Sequence, residues 1–293
     1  MRLSRGDRVL SAANYVVLSL ILISVLYPMI YIVSSSFSSS LAVISGRVWL
    51  WPVEFGLKGY TAVFKHHQVM TGYLNSFIYT ILGTAINLVM TILAAYPLSR
   101  RDFCGRNLFM GLFTFTMLFG GGLIATYLLI RDLNLLNTRW VMVLPNALGV
   151  WNMIVARTFF QTNIPDELVE ASELDGCNDL ETIWHVVLPL SKPIMAVMAL
   201  FYAVGHWNAY FQALIYLNNE KLYPLQIILR SILILQQIDM EMITDVQEIM
   251  AREGMKDLLQ FSLIVVASAP VLILYPFVQK YFIRGLLLGS LKG

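Results

Sequence analysis

Charged residues are scarce in this chain, and their scarcity excludes several classes of protein. Only 13% of its 293 residues are Asp, Glu, Lys or Arg, whereas 58% are hydrophobic. The mean hydropathy is +0.69. A typical soluble domain has about 25% charged residues. The composition therefore excludes an ordinary soluble enzyme, and it excludes intrinsic disorder, which needs few apolar residues. A net charge of +2 offers no basic footprint for nucleic acid.

Motifs that carry catalytic or metal chemistry are missing as well. The two cysteines, Cys104 and Cys177, are far apart and form no CxxC pair, so no disulfide framework or zinc site is predicted. The sequence has no GxxxxGK[ST] loop, which is the motif that cradles ATP phosphates. It also has no HExxH and no GxSxG. We therefore predict that the chain is not an enzyme and binds no cofactor or metal itself.

The few charges leave long apolar gaps. Six stretches of at least 17 residues lack Asp, Glu, Lys and Arg: 9–46, 66–99, 107–130, 140–156, 193–219 and 258–279. A membrane-spanning helix needs about 20 apolar residues. We therefore predict an all-α integral membrane protein, a single domain over 1–293. Its six transmembrane helices span about 13–34, 74–98, 107–130, 140–160, 193–217 and 258–282. The fourth is the weakest because Pro145 lies inside it.

Six crossings place both termini on one side of the membrane. Basic residues lie on that side in three places, before the first span, after the second span and in the tail. They are Arg2, Arg5, Arg8, Arg100, Arg101, Arg106, Lys280, Arg284 and Lys292. The positive-inside rule makes it the cytoplasmic side. The first span could instead be a cleaved signal peptide. Its apolar stretch from Tyr15 to Val33 is longer than the ~7–15 residues of such a segment.

Two loops are predicted on the outer side. The first, 35–73, places Trp49 and Trp51 beside Pro52, which favours anchoring at the membrane interface. A docking surface for an outside partner is the alternative. The second loop, 218–257, has helical spacing of apolar residues between Asp239 and Asp257. This predicts an amphipathic helix that lies on the membrane or against a partner.

The inner loop 162–192 carries the clearest local signals. Pro165 followed by acidic residues is typical of a helix start. Asp175-Gly176 predicts a turn, and Asn178 with Glu181 predicts a capping box that starts a second helix.

That second helix would carry one apolar face, formed by Leu180, Ile183, Trp184 and Val187. We predict a cytoplasmic helix–turn–helix between the fourth and fifth spans. Its apolar face favours protein docking over a merely solvated loop.

This loop resembles the EAA motif of ABC importer permeases, E-A-A-x-x-D-G-A followed after eight residues by I-x-L-P. Here the motif reads Glu170-Ala171-Ser172, Asp175-Gly176-Cys177 and Val186-Val187-Leu188-Pro189. Ser172 and Cys177 replace alanines, and Val186 replaces isoleucine. Further stretches are similar to carbohydrate-importer permeases of the maltose-transporter class, in the branch named for lipoprotein and polygalacturonan-type transport: 45–52, 96–100, 137–140, 188–193, 205–208 and 289–293.

The resemblance implies a permease subunit of a binding-protein-dependent ABC importer in the bacterial plasma membrane. Loop 162–192 would be the coupling region, seated in a cleft of a separate ATPase subunit that binds ATP and Mg²⁺, with the tail 291–293 nearby. The implied coupling residues are Glu170, Ala171, Ser172, Asp175, Gly176, Leu188 and Pro189. The implied partners are a homologous second permease, two ATPase subunits and an extracellular or periplasmic sugar-binding protein.

Polar and aromatic residues inside the spans fit a sugar pathway, because sugars present hydroxyl edges and apolar CH faces. The candidates are Trp151, Asn152, Trp207, Asn208 and Tyr210. Hydrogen bonding between helices is an equally good interpretation of Trp207, Asn208 and Tyr210. It is the favoured interpretation of Asn75, Asn87, Asn146 and His206.

Two other classes of membrane protein are alternatives to a permease subunit. A secondary carrier usually needs an acidic residue at the membrane midplane, and none of the six gaps offers one. A structural membrane subunit is the other alternative, and the EAA spacing argues against it. The sequence does not specify the sugar. Large oligosaccharides, including acidic fragments of alginate or pectin, suit the resembled branch.

Overall fold

The computed structural model describes residues 5–234 and 246–290, and their regular structure is helical. The predicted amphipathic helix over 239–257 lies partly, and the tail 291–293 wholly, outside these residues. The chain divides into two compact units. The first comprises 1–70 and 229–270, and the second comprises 71–228 and 271–293.

Fourteen α-helices can be followed along the described ranges. They are α1 (Arg5–Ser36), α2 (Ser40–Ile44), α3 (Lys58–Lys65), α4 (His67–Ser99), α5 (Arg106–Leu118), α6 (Gly122–Asp132), α7 (Val150–Asn163), α8 (Asp166–Leu174), α9 (Asp179–Thr182), α10 (Leu188–Leu190), α11 (Lys192–Trp207), α12 (Phe211–Tyr216), α13 (Leu225–Ile234) and α14 (Val246–Ser290). Within these ranges, α1, α4 and α14 each contain a segment long and apolar enough to cross a membrane. They contain the predicted spans 13–34, 74–98 and 258–282.

The predicted span 107–130 is not one helix. α5 ends at Leu118, α6 begins at Gly122, and the two are bent by 110°. Three consecutive glycines, 120–122, occupy the break, and Gly122 has φ +78°. Glycine is a poor helix former and adopts positive φ without steric penalty, so this triplet ends the run. A single continuous helix over 107–130 was therefore the wrong prediction.

The predicted spans 140–160 and 193–217 are also interrupted. Short 3₁₀ turns occupy Arg139–Met142 and Leu144–Asn146, and α7 begins only at Val150, after Pro145 and Gly149. α11 ends at Trp207 before the short helix α12. By length and composition, the described residues hold three possible spans, or up to five if each bent pair is one span. The six-span count stays a prediction.

In the first unit, a serine cluster folds the predicted outer loop back onto the end of α1. The Ser34 hydroxyl donates to the Leu50 carbonyl at 2.7 Å. The Ser38 hydroxyl donates to the Ser34 carbonyl at 2.7 Å and accepts from the Val53 amide at 3.0 Å. Both serines are buried. Because a buried amide without a partner is costly, these hydroxyls allow the loop backbone to pack against the helix end.

The same loop presents an exposed ion pair and two exposed tryptophans. The Ser39 hydroxyl donates to the Glu54 carboxylate at 2.6 Å, and Arg47 Nη2 lies 3.0 Å from it. The pKa of Glu54 is held below its usual range, mainly by the hydrogen bond from Ser39 and secondly by Arg47. Trp49 and Trp51 are 67% and 81% exposed. This arrangement is compatible with both predicted roles of the loop.

In the second unit, α4 joins two apolar clusters. Its first half packs through Tyr79 against residues of α6, the 139–146 turns, α12 and α13. Its second half packs through Ile92, Tyr96 and Leu98 against α7, α8, the 183–187 turn and α11. α4 is therefore the helix against which the rest of this unit is arranged.

The serine cluster gives a test of the first unit. Ser38→Ala leaves the half-buried Val53 amide without its acceptor, and we expect a loss of about 1 kcal/mol. The matched control is Ser24→Ala, because the exposed Ser24 hydroxyl bonds only to the Ile21 carbonyl of its own helix. Thermal unfolding of the purified protein in detergent measures both. Equal melting temperatures for the two variants would contradict the assignment.

Candidate functional site

The segment 165–191, called here the elbow, is two short helices joined by a tight turn. Pro165 precedes α8, whose first turn carries Asp166 and Glu167. Gly176 has φ +86°, and the Cys177 amide bonds to the Ser172 carbonyl at 2.9 Å. Only glycine adopts that conformation without strain, so the turn requires it. The predicted helix–turn–helix is present.

The second arm of the elbow starts with a complete capping box. The Glu181 amide donates to Asn178 Oδ1 at 3.1 Å, and the Asn178 amide donates to Glu181 Oε2 at 2.9 Å. The arm continues through a π turn at Ile183–Val187, runs past Pro189 and ends at Ser191. Proline offers no amide hydrogen to the turn before it, which favours such a widened turn. The arm meets α11 at an angle of 88°.

The elbow has a buried side and an exposed side. Val169, Ser172, Thr182, Ile183 and Val187 are buried. The Ser172 hydroxyl lies 2.9 Å from the Thr182 hydroxyl and donates to the Val169 carbonyl at 2.7 Å. Serine at this EAA position therefore ties the two arms together. Ser172 is itself buried, and its predicted coupling role stays a prediction.

Exposed apolar residues lie on the other side of the elbow. Leu174, Leu180 and Trp184 are 90%, 67% and 69% exposed, and Glu170 is exposed as well. The predicted single apolar face is therefore wrong, because Ile183 and Val187 pack inward while Leu180 and Trp184 point outward. An open, mostly apolar groove continues from this side, lined by Trp184, Leu188, Pro189, Lys192, Met195 and Ala196. Of the predicted coupling residues, Glu170, Ala171, Asp175, Gly176 and Pro189 are exposed and Leu188 is half-buried.

A polar stripe runs along α4 with a spacing of four residues. Its members Asn75, Tyr79, Gly83, Asn87 and Thr91 are all buried. At its first end, the Asn75 amide donates to the carbonyls of Lys221 and Tyr223 at 2.8 and 3.1 Å, and the Tyr79 hydroxyl donates to the Leu222 carbonyl at 2.8 Å. The stripe therefore satisfies backbone groups of an irregular segment, which matters where water is absent.

The middle of the stripe binds one further break in helical structure, at Asn146, and it also binds helix α11. The Asn87 amide donates to the Asn146 carbonyl at 2.5 Å, and Asn87 Oδ1 lies 2.6 Å from His206 Nε2. The Thr91 and Tyr202 hydroxyls are 2.7 Å apart. A Cβ on Gly83 would overlap the His206 imidazole, so only glycine fits there. Hydrogen bonding between helices is predicted from the sequence for Asn75, Asn87 and His206. Tyr79, Gly83 and Thr91 are not predicted, although they follow Asn75 at the same four-residue spacing.

The predicted sugar-pathway residues have different surroundings. Trp207 is 3% exposed and packs edge-on against Tyr73 and Phe77, with ring centroids 5.7 and 5.3 Å away. Trp151, in the first turn of α7, is 65% exposed. Asn152 is half-buried, and Asn208 and Tyr210 are exposed in the break after α11. The described residues contain no group of three or more His, Cys, Asp or Glu side chains that could hold a metal.

Comparison with known proteins identifies the class. Residues 87–287 match the family described as the binding-protein-dependent transport system inner membrane component, and the chain belongs to this family. It is therefore a membrane-spanning permease of the ABC importer type, in a family of transport subunits, and the predicted resemblance is confirmed.

Individual relatives indicate which branch of this family the chain is similar to. The chain is 38% identical over 294 residues to "Protein LplC" of Bacillus subtilis, covering 100% of this chain and 98% of that one. It is 41% identical over 271 residues to the "Polygalacturonan/rhamnogalacturonan transport system permease protein YtcP" of Bacillus subtilis, covering 91% and 92%. A solved structure of "a bacterial ABC transporter involved in the import of the acidic polysaccharide alginate" matches with TM-score 0.87 and 35% identity, covering 96% and 99%. The carbohydrate-importer branch predicted from the sequence is confirmed.

Gly83 provides a test of the polar stripe. Gly83→Ala forces the His206 ring away from Asn87, and overpacking of this kind costs about 1–3 kcal/mol. Gly205→Ala is the matched control, because it lies next to His206 on α11 and a Cβ there meets nothing within 4 Å. We expect the melting temperature of the purified protein to fall for the first variant only. A stable Gly83→Ala protein would show that the ring contact is not needed.

Proposed function

We propose that this chain forms one half of the transmembrane pathway of a bacterial importer for an oligosaccharide or polysaccharide. A homologous permease supplies the other half, two ATPase subunits bind ATP and Mg²⁺, and an extracellular or periplasmic binding protein delivers the sugar. The family, the carbohydrate-transport names of relatives and the apolar helices support this assembly. The chain lies in the plasma membrane with both termini cytoplasmic, as its flanking arginines favour.

The observation that carries the proposal is the two-sided geometry of the elbow. Its inner side is anchored by Val169, Ser172 and Val187, whereas Glu170, Leu180 and Trp184 are exposed. Exposed large apolar side chains need a protein cover. We infer that the ATPase subunit supplies this cover, with a basic rim facing the acidic start of α8.

Movement of the elbow would then change the membrane pathway. A short, capped and tightly turned element moves as a rigid body, so closure of the ATPase subunits would carry the elbow and the helices anchored to it. Such a displacement would switch the bundle between inward-open and outward-open states. In this scheme the chain performs no chemistry.

We propose sugar contacts for those predicted pathway residues that are not fully buried. Trp151, Asn152, Asn208 and Tyr210 would meet the sugar, with aromatic faces for its CH groups and amides for its hydroxyls. Trp207 would form the packed wall behind them, because its ring is enclosed by Tyr73 and Phe77. Lysine and arginine occur in the predicted spans only near the ends of two of them, at Arg157 and Lys280. A sugar carboxylate deeper in this half would therefore meet neutral donors. Alginate and polygalacturonate oligosaccharides are the first substrates to test.

Charge reversal at Glu170 tests the coupling role. In Glu170→Lys, the positive charge opposes the basic rim, and a clash of like charges across an interface costs several kcal/mol. We expect ATPase subunits to be lost on purification, or uptake to fall at least tenfold, with the melting temperature of the permease unchanged. The control is Asp132→Lys, an exposed reversal at the end of α6. Normal sugar uptake by Glu170→Lys would refute the proposed coupling.

The two tryptophans test the pathway assignment. Trp151→Ala removes an exposed ring, and we expect uptake by reconstituted vesicles to fall several-fold with full assembly. Trp207→Ala creates a cavity beside Tyr73 and Phe77, and it should lower the melting temperature by the equivalent of about 3–5 kcal/mol. Loss of assembly with Trp151→Ala, or wild-type uptake by that variant, would remove it from the pathway.

A further inference from the structure

The end of α4 and the start of the elbow are joined by charged side chains. Arg100 Nη1 lies 3.1 Å from Asp166 Oδ1, and Arg101 Nε lies 3.8 Å from Asp166 Oδ2. The Arg100 side chain is only 18% exposed, and that of Asp166 is 46% exposed. One carboxylate on the first residue of α8 thus faces two guanidinium groups that directly follow α4.

α7 binds the same end of α4. Arg157 Nε donates to the Leu98 carbonyl at 2.8 Å, and Gln161 Nε2 donates to the Ser99 carbonyl at 3.2 Å. The last carbonyls of a helix have no partner within the helix, so these side chains satisfy groups that would otherwise be unpaired. α7 leads directly into α8 through Pro165. The end of α4 is therefore bound both by α7, which precedes Pro165, and by α8, which follows it.

The Asp166 contact differs in kind from the other contacts between α4 and the elbow. Val169 and the Tyr96 ring belong to a shared apolar cluster, and apolar packing is not directional. An ion pair with a half-buried arginine fixes distance and orientation more tightly. The pair therefore fixes the position of the elbow relative to the end of α4.

We propose that Asp166 is a positioning residue: its contact with Arg100 and Arg101 transmits movement of the elbow to α4. This rests on the proposed function, in which the elbow receives the movement of the ATPase. α4 is the helix that matters, because its polar stripe binds Asn146, His206 and the 221–223 segment. Displacing the end of α4 therefore displaces the contacts around which the second unit is built.

The test uses the complete transporter, purified with its own ATPase and binding protein and reconstituted in liposomes. The measured quantity is sugar taken up per ATP hydrolysed, with ATPase content of the complex measured alongside. We expect Asp166→Asn to lower this ratio about fivefold, within the range found for coupling residues. Asp166→Glu should keep it within about twofold, because the charge is conserved.

A matched control and a charge exchange accompany that variant. Asp102→Asn removes an exposed carboxylate that also lies near Arg100, at 4.0 Å, but belongs to the same loop as the arginine. It should leave the ratio unchanged. Combining Asp166→Arg with Arg100→Asp restores opposite charges between α4 and α8, and it should recover most of the ratio. Arg101 is 87% exposed and can turn away from the new arginine.

The outcomes separate this inference from the proposed function. An unchanged ratio in Asp166→Asn, or no recovery in the charge-exchanged protein, would overturn the positioning role. If Glu170→Lys still abolished uptake in that case, the coupling role of the elbow would stand. If the wild-type complex contained no ATPase, both proposals would fall. Asp166→Asn could also fail to assemble into the transporter. If the charge-exchanged protein failed to assemble as well, the Asp166–Arg100 ion pair would be needed for folding, and the inference would be overturned.

Discussion

Buried polar groups in an apolar chain must find partners within the protein, and this requirement organises the second unit. Helix α4 places Asn75, Tyr79, Asn87 and Thr91 along one buried stripe. Every one of them bonds to a group on another segment, and two of those segments, at 221–223 and at Asn146, are breaks in helical structure. In hydrocarbon an unsatisfied carbonyl costs several kcal/mol, so broken helices are possible only beside such donors.

Two breaks, at Asn146 and at 221–223, therefore depend on the stripe for their hydrogen bonds. Gly120–Gly122, Pro145 and the Trp207–Tyr210 segment interrupt runs of residues that hydropathy alone presents as continuous. The Asn146 carbonyl and the His206 ring then meet at Asn87, in a space that exists because residue 83 has no side chain. The same principle operates in the first unit, where serine hydroxyls replace the missing backbone partners of the outer loop.

At the cytoplasmic end predicted by charge, the elbow combines rigidity with exposure. A capping box, a positive-φ glycine and a buried pair of hydroxyls fix its shape. Its outer side leaves Leu180 and Trp184 uncovered. An element of this kind can pass on a displacement because it does not deform. Charged groups at Asp166 and Arg100 link it to the helix that carries the polar stripe.

The sequence by itself determined the membrane class, the helix–turn–helix of the elbow and the permease family, because composition, capping residues and motif spacing are local properties. The three longest helices were also predictable, since each is a long apolar run. Only tertiary structure decided that Ile183 faces inward while Leu180 faces outward, and that Trp207 is enclosed. Those outcomes depend on which segments meet, and residues such as Asn87 and Asn146, or Arg100 and Asp166, are about 60 positions apart along the chain. Local sequence patterns carry no information on such pairings, because periodicity describes which face of a helix is apolar but not what covers it.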